Sequence, residues 1–253
     1  MKKKIAIIGA GIGGLTLANL LQNNSEFEFT IYEKKETLSS EEGFGIQLAV
    51  NSVSILNQVG FGSLSKSEIY NPTKLDFYSN EDKVCDLDLT QFNSEKEKYT
   101  TLKRSSLIKF LKNKLFSNLI KFNKTIESVE QEQDILKIKF EDGTIEVVDL
   151  LVVSDGVFSH TKSIIEKKIF KPNYYGAIAV RTQIKAKNIS EFKTENISLF
   201  MSSKAHLVSY PVNDNGDINV VCILRKKFNE KKSAEMLLSG KFVNKNKHLL
   251  SLF

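Results

Sequence analysis

Apolar positions along this chain follow a few distinct rhythms. An unbroken run, Ile5-Ala6-Ile7-Ile8, meets the glycine cluster Gly9-Ala10-Gly11-Ile12-Gly13-Gly14. Helical spacing follows, and then a second apolar run ends in Thr30-Ile31-Tyr32-Glu33. This predicts a strand over 4–8, a helix over 13–23, a turn at Asn23-Asn24-Ser25 and a strand over 27–33. Residues 34–45 read as a polar loop. Asn51 reads as the N-cap of a helix reaching about Val59 and ended by Gly60. Alternation over 73–79 and 84–89 predicts a hairpin, with Asn80-Glu81-Asp82 as its turn. Leu107, Phe110, Leu111 and Leu115 carry a helix over 104–116. Strands follow over 125–131, over 135–140 and, after the Asp142-Gly143 turn, up to Val147. The wholly apolar Leu150-Leu151-Val152-Val153 suits a strand buried in a parallel sheet. Ser154-Asp155-Gly156 ends it, and a helix starts near Ser159. Beyond Pro172 the runs 177–185, 197–201, 205–212 and 218–225 succeed one another with little helix between them, which predicts a mostly antiparallel sheet. A lysine-rich tail over 229–253 reads as helical.

Composition narrows the class. At 253 residues, 41% hydrophobic and 26% charged, the chain can bury a full core as a globular protein. Its net charge of +6 comes from dispersed lysines. No dense basic block is interleaved with aromatics, so a nucleic-acid surface is not expected. Cys85 and Cys222 stand far apart, and the three histidines show no ligand spacing, so neither a disulfide framework nor a metal site is expected. A reducing cytoplasm is the default. Lys2-Lys3-Lys4 before Ile5 to Leu21 has the outline of a signal peptide. Four glycines within six positions would weaken such a helix, however, and no small-residue cleavage site precedes Gln22. No other run is long enough to span a bilayer.

The glycine cluster carries the clearest chemistry. Strand, glycine turn, helix, strand and acid form a dinucleotide-binding pattern. Gly9 permits a tight turn, Gly11 lets backbone approach a pyrophosphate, and Gly14 lets helix and strand pack closely. The helix start offers N–H groups and a positive dipole end to phosphates. Glu33 lies 19 residues after Gly14, near the expected spacing of about 20, and can accept ribose hydroxyls.

Further stretches strengthen this reading: Gly43-Phe44-Gly45-Ile46-Gln47-Leu48 with Asn51 and Leu56, Leu102-Lys103-Arg104-Ser105-Ser106-Leu107, and Val153-Ser154-Asp155-Gly156-Val157-Phe158-Ser159. With the glycine turn, and with weaker echoes at Tyr175-Gly176, Arg181 and His206 to Val212, the chain resembles the FAD-dependent aromatic hydroxylases, the group A flavoprotein monooxygenases. The resemblance implies an α/β fold: a Rossmann-like FAD-binding domain with a mostly antiparallel β-sheet substrate domain. It divides the chain into 1–71 and 100–171 for FAD, and 72–99 and 172–253 for substrate. It implies FAD held by Gly9, Gly11, Gly14, Glu33, Lys34, Gly45, Arg104, Ile126 and Asp155. NADH or NADPH and O2 would be co-substrates, and the substrate a small aromatic ring near Arg181, His206 and Tyr210. No proton-transfer residue is assigned.

The chain also departs from the family. Lys162 stands where the family has an arginine, keeping the charge but losing the planar fork. Val153-Ser154 replaces Gly-Ala. No Gly-Asp-x-x-His motif follows Pro211, the last proline. The chain therefore reads as the first two thirds of such an enzyme. That leaves open a non-catalytic or split FAD-binding fragment, with a homo-oligomer or a partner covering the exposed surface. A geranylgeranyl-reductase-like flavoenzyme is a further alternative. The lack of tryptophan counts against a flavin halogenase, and the Asp155-Gly156 and Gly43 segments count against a simple NAD-binding module.

Overall fold

The computed structural model describes residues 2–38, 43–79, 82–170, 175–186, 195–203 and 205–225. In chain order the elements begin with β1 (Lys3–Ile8), α1 (Ile12–Leu21), β2 (Phe27–Tyr32), β3 (Gly45–Leu48) and α2 (Val50–Asn57). Next come β4 (Ile69–Tyr70), β5 (Lys74–Ser79), β6 (Asp82–Asp88), β7 (Thr100–Lys103) and α3 (Arg104–Lys114). Then follow β8 (Ile120–Lys121), β9 (Ile126–Glu132), β10 (Ile135–Phe140), β11 (Ile145–Val148), β12 (Leu150–Val153) and α4 (His160–Ile165). The last are β13 (Ala177–Ile184), β14 (Ile197–Met201), β15 (Ala205–Pro211) and β16 (Ile218–Arg225). The helical tail and the Asn80-Glu81 part of the hairpin turn lie outside the described residues, and Asp82 begins β6.

These elements form two compact units. The first comprises residues 1–43, 52–64 and 104–173, and the second 44–51, 65–103 and 174–253. Residues 44–51, 65–71 and 100–103, grouped with the FAD domain by the sequence, cluster here with the second unit.

In the first unit, a parallel sheet runs in the order β12-β1-β2-β8. The short crossover from β1 through α1 to β2 is the unit that the apolar rhythm predicts. Asn19 on α1 is buried and donates to the Leu15 and Leu111 carbonyls at 2.8 and 2.9 Å, which ties α1 to α3. The antiparallel sheet β11-β10-β9 shares a core with the parallel one: Ala6, Ile8 and Tyr32 pack with Ile126, Ile138, Phe140 and Val148. Two expectations are corrected. Asn51 lies inside α2 rather than capping it, because the helix already starts at Val50. β12 is parallel but sits at the sheet edge, so Leu150 and Val153 remain 49% and 37% exposed. Val157, Phe158 and Ile169 nearby are also largely exposed.

In the second unit, six strands run in the order β13-β16-β15-β14-β5-β6, antiparallel except where β14 meets β5. The hairpin of residues 74–88 thus belongs to the same sheet as the strands after 175. A small sheet, β3-β7-β4, completes the unit. The sequence reading ends its loop at Gly45 and assigns no element to residues 46–48, where β3 forms.

Candidate functional site

The parallel sheet ends its strands around the first glycine turn, the place where open α/β sheets bind ligands. Gly9 adopts φ +98°, and a Cβ there would lie 2.7 Å from the Ser154 carbonyl oxygen. Only glycine makes this turn without strain. Ser154 locks the same spot: its amide donates to the Ile8 carbonyl at 2.8 Å, and its hydroxyl to the same carbonyl at 2.7 Å. At Gly14 a Cβ would meet the Gly9 oxygen at 2.1 Å, so α1 and the turn are in contact there. Gly11 differs, since a Cβ would meet nothing within 4 Å. It is also the N-cap of α1 and brings no capping side chain, so the helix start faces open space with its N–H groups available.

Glu33 ends the second strand of the motif. Its Oε2 accepts the Ala10 amide at 2.8 Å and its Oε1 the Lys35 amide at 3.0 Å. The carboxylate therefore fixes the glycine turn and still has lone pairs to offer. A narrow cleft brings Gly9, Glu33, Lys34, Ile126 and Asp155 together, with Tyr32, Lys124 and His160 on its walls. Burial, with Glu146 as a second cause, pushes the Tyr32 phenol well above its ordinary range. Ile126 is both core and cleft wall. Asp155 Oδ2 accepts the Thr161 amide at 3.3 Å, while Oδ1 is buried without a hydrogen bond. An orphaned carboxylate oxygen in a cleft is a place for a ligand donor. The cap of α4 is Ser159, which accepts the Lys162 amide at 3.0 Å. The Lys162 ammonium lies 4.2 Å from the centre of the Phe170 ring.

Arg104 opens α3 with an exposed side chain beside Gly43, whose φ is +124° and whose Cβ would lie 3.1 Å from that of Arg104. No hydrogen bond or ion pair occupies its guanidinium among the described residues, so its bidentate fork is available.

Gly45, Arg181, His206 and Tyr210 fall in the second unit. The register Tyr210↔Asn219 and Arg181↔Val221 puts Arg181, Asn219, Tyr210 and His206 on one face of the six-stranded sheet. Tyr210 is buried, His206 half-buried and Arg181 exposed. Gly45 packs directly on this face, and a Cβ there would lie 2.6 Å from that of Asn219 and 2.9 Å from the Tyr210 ring. Sequence reasoning missed Asn219 and also Tyr99, whose hydroxyl donates to Gln47 at 2.8 Å. Asn219 alone was findable, as one amide inside the apolar run Ile218-Val220-Val221. Behind it, Asp217 accepts from Lys103 at 2.5 Å and from the Ala186 amide at 3.2 Å. Burial alone would raise its pKa, but these donors and Asn213 outweigh burial and hold the carboxyl at about 2.

Residues 7–42 match the model of the NAD(P)-binding Rossmann-like domain. A 3-amino-4-hydroxybenzoate 2-monooxygenase of Streptomyces platensis is 25% identical over 228 residues, covering 88% of this chain and 57% of that protein. Salicylate hydroxylase of Pseudomonas putida is 23% identical over 234 residues, covering 86% of this chain and 53% of that one. The structure of HpxO from Klebsiella pneumoniae, complexed with FAD and uric acid, superposes with a TM-score of 0.78 at 18% identity, over 94% of this chain and 60% of that one. That likeness establishes the shared α/β fold.

Proposed function

From a chain that is a relative of the FAD-dependent aromatic monooxygenases and spans just over half the length of those curated relatives, we propose that this protein binds FAD and serves the NAD(P)H- and O2-dependent hydroxylation of a small aromatic ring. The observation that carries the proposal is the cleft at the β1–α1 turn, with its orphaned Asp155 Oδ1 and the open approach to Gly11. Both features suit a phosphate- and hydroxyl-bearing ligand. Bound there, FAD would supply the redox chemistry, namely acceptance of hydride from reduced nicotinamide and activation of O2 for transfer of one oxygen atom to the ring.

The chain's own residues bind and orient. The N–H groups at the start of α1, unobstructed at Gly11, take the pyrophosphate. Glu33 accepts ribose hydroxyls while it holds the Ala10 amide. Asp155 Oδ1 accepts a ligand O–H or N–H, and Arg104 offers its free fork to an anionic or carbonyl oxygen. Gly9, Gly14 and Ile126 shape the turn and the cleft wall, and Lys34 adds positive charge at its mouth. Gly45 lets backbone come close where any side chain would collide. Arg181, His206 and Tyr210, on their common face, serve the ring substrate. Cys85 and Cys222 are both free thiols, which fits a cytoplasmic setting. No helix among the described residues is long and apolar enough to cross a membrane.

The test is the visible spectrum of the purified protein with and without added FAD, followed by NADH or NADPH in air. A bound flavin that bleaches with nicotinamide is the expected result. Protein that stays colourless at saturating FAD overturns the proposal.

A further inference from the structure

We propose that Asn19 and Gln22 are positioning residues that fix the register of α3 along α1, and so keep the Arg104 guanidinium level with the open helix start at Gly11. This rests on the functional reading above and goes beyond it, to how two separate parts of the chain are held in step to meet one flavin.

Amides join the two helices at two levels. Asn19 Nδ2 donates to the Leu15 carbonyl of its own helix at 2.8 Å and to the Leu111 carbonyl of α3 at 2.9 Å. Further along, Gln22 Nε2 donates to the Lys114 carbonyl at 3.1 Å and to Asn19 Oδ1 at 3.3 Å, and its Oε1 accepts the Phe116 amide at 3.2 Å. Asn19 meets Leu111 and Gln22 meets Lys114, three residues on in both helices, so α1 and α3 run parallel and in step. Asn19 stands seven residues beyond Ile12, and Leu111 seven beyond Arg104. With a rise of about 1.5 Å per residue, both helix starts lie about 10 Å from the bridge, at the same end. That end carries the uncapped N–H groups after Gly11 and the exposed side chain of Arg104.

Apolar packing alone does not set this register. The buried apolar residues of the pair, Leu15 and Ala18 on α1 and Leu107, Ile108 and Leu111 on α3, attract without direction. A slip of one helical turn would move Arg104 by about 5.4 Å, out of hydrogen-bond reach of the same ligand atom. Directional bonds from a buried amide exclude that slip, as a single buried polar residue does in a coiled coil. Asn19 is 2% exposed, and both polar atoms of its carboxamide have partners. The Leu111 and Lys114 carbonyls are among the last four of α3, which find no partner within a helix. The bridge thus satisfies groups at one end of α3 and sets the height of the residue at the other.

The test is a double-mutant cycle on the full chain, read as the Kd for FAD from quenching of flavin fluorescence. Asn19→Leu keeps the branched shape and removes the bonds. It should weaken FAD about threefold to tenfold, and Arg104→Leu about tenfold or more. In the Arg104→Leu background, Asn19→Leu should change Kd by less than about twofold, because the group it positions is gone. A merely structural bridge would act on the whole fold, so its loss would weaken FAD by the same factor with and without Arg104. Equal factors overturn the proposal, as does an unchanged Kd in folded Asn19→Leu or in Arg104→Leu. If Asn19→Leu does not fold, Gln22→Leu, at the half-buried end of the bridge, carries the same cycle with the same outcomes. An unaltered chain that takes up no FAD overturns the functional reading and this inference together, whereas equal factors in a chain that binds FAD overturn this inference alone.

Discussion

A methyl group added at Gly14 would press on the Gly9 carbonyl oxygen, whereas one at Gly11 would enter open space. The two glycines therefore fail differently. Gly14→Ala should destabilise the first unit by about 1–3 kcal/mol through overpacking, read as a lower denaturant midpoint. Gly11 has φ −78° and ψ −174°, which any residue adopts, so Gly11→Val should fold normally and lose FAD. Flavin retained by Gly11→Val would sink the assignment of this turn to the pyrophosphate. Asp217 makes a prediction of another kind. Its folded pKa of about 2 lies below the ordinary value of about 3.9, so its stabilisation is complete above pH 4 and is lost as pH falls toward 2. A shift of that size is worth at most about 2 kcal/mol once solvent screening is allowed for. Asp217→Asn should remove this acid dependence from the second unit, as measured by urea unfolding at pH 5 and pH 2.5.

Among the elements, those with long or strongly periodic patterns were legible in the sequence. β12, β14 and β16 begin and end where the apolar runs do, and α3 starts at Arg104 as read. The short strands β3, β4, β7 and β8 were not, because two to four residues that mix polar and apolar positions cannot be told from a loop, whereas β12 of the same length is wholly apolar. β12 also shows how an element can be right and its setting wrong. Its four apolar residues suit a doubly covered strand, yet among the described residues only β1 pairs with it. An open apolar edge invites association between chains. Leu150→Lys with Val153→Lys should reduce self-association in light scattering at a stability cost under about 1 kcal/mol, since both side chains are already well exposed. Scattering unchanged from the parent chain would show that this edge is not the sticky one.

At the scale of the molecule, the residues proposed to hold FAD and those proposed to face the substrate fall largely in different units, so ligand effects can be resolved by unit. FAD at 100 times its Kd should stabilise the first unit by about 2.7 kcal/mol. Thermal unfolding followed with and without FAD checks this, and a midpoint that does not move would count against a flavin site at the β1–α1 turn. The sequence by itself determined the strand–glycine–helix–strand–acid unit, the parallel and antiparallel halves, and Arg104 and Asp155 as candidates. These rest on periodicity and backbone sterics, which act between near neighbours in the chain. Tertiary structure alone decided that Asp155 keeps an orphaned oxygen in a cleft. It also decided that Gly45 is held by the Asn219 amide 174 residues away, and that Asn219 and Tyr210 stand opposite one another across a strand pair. Such contacts follow from strand order and register, and a hydrogen bond between distant residues leaves no periodic trace in the sequence.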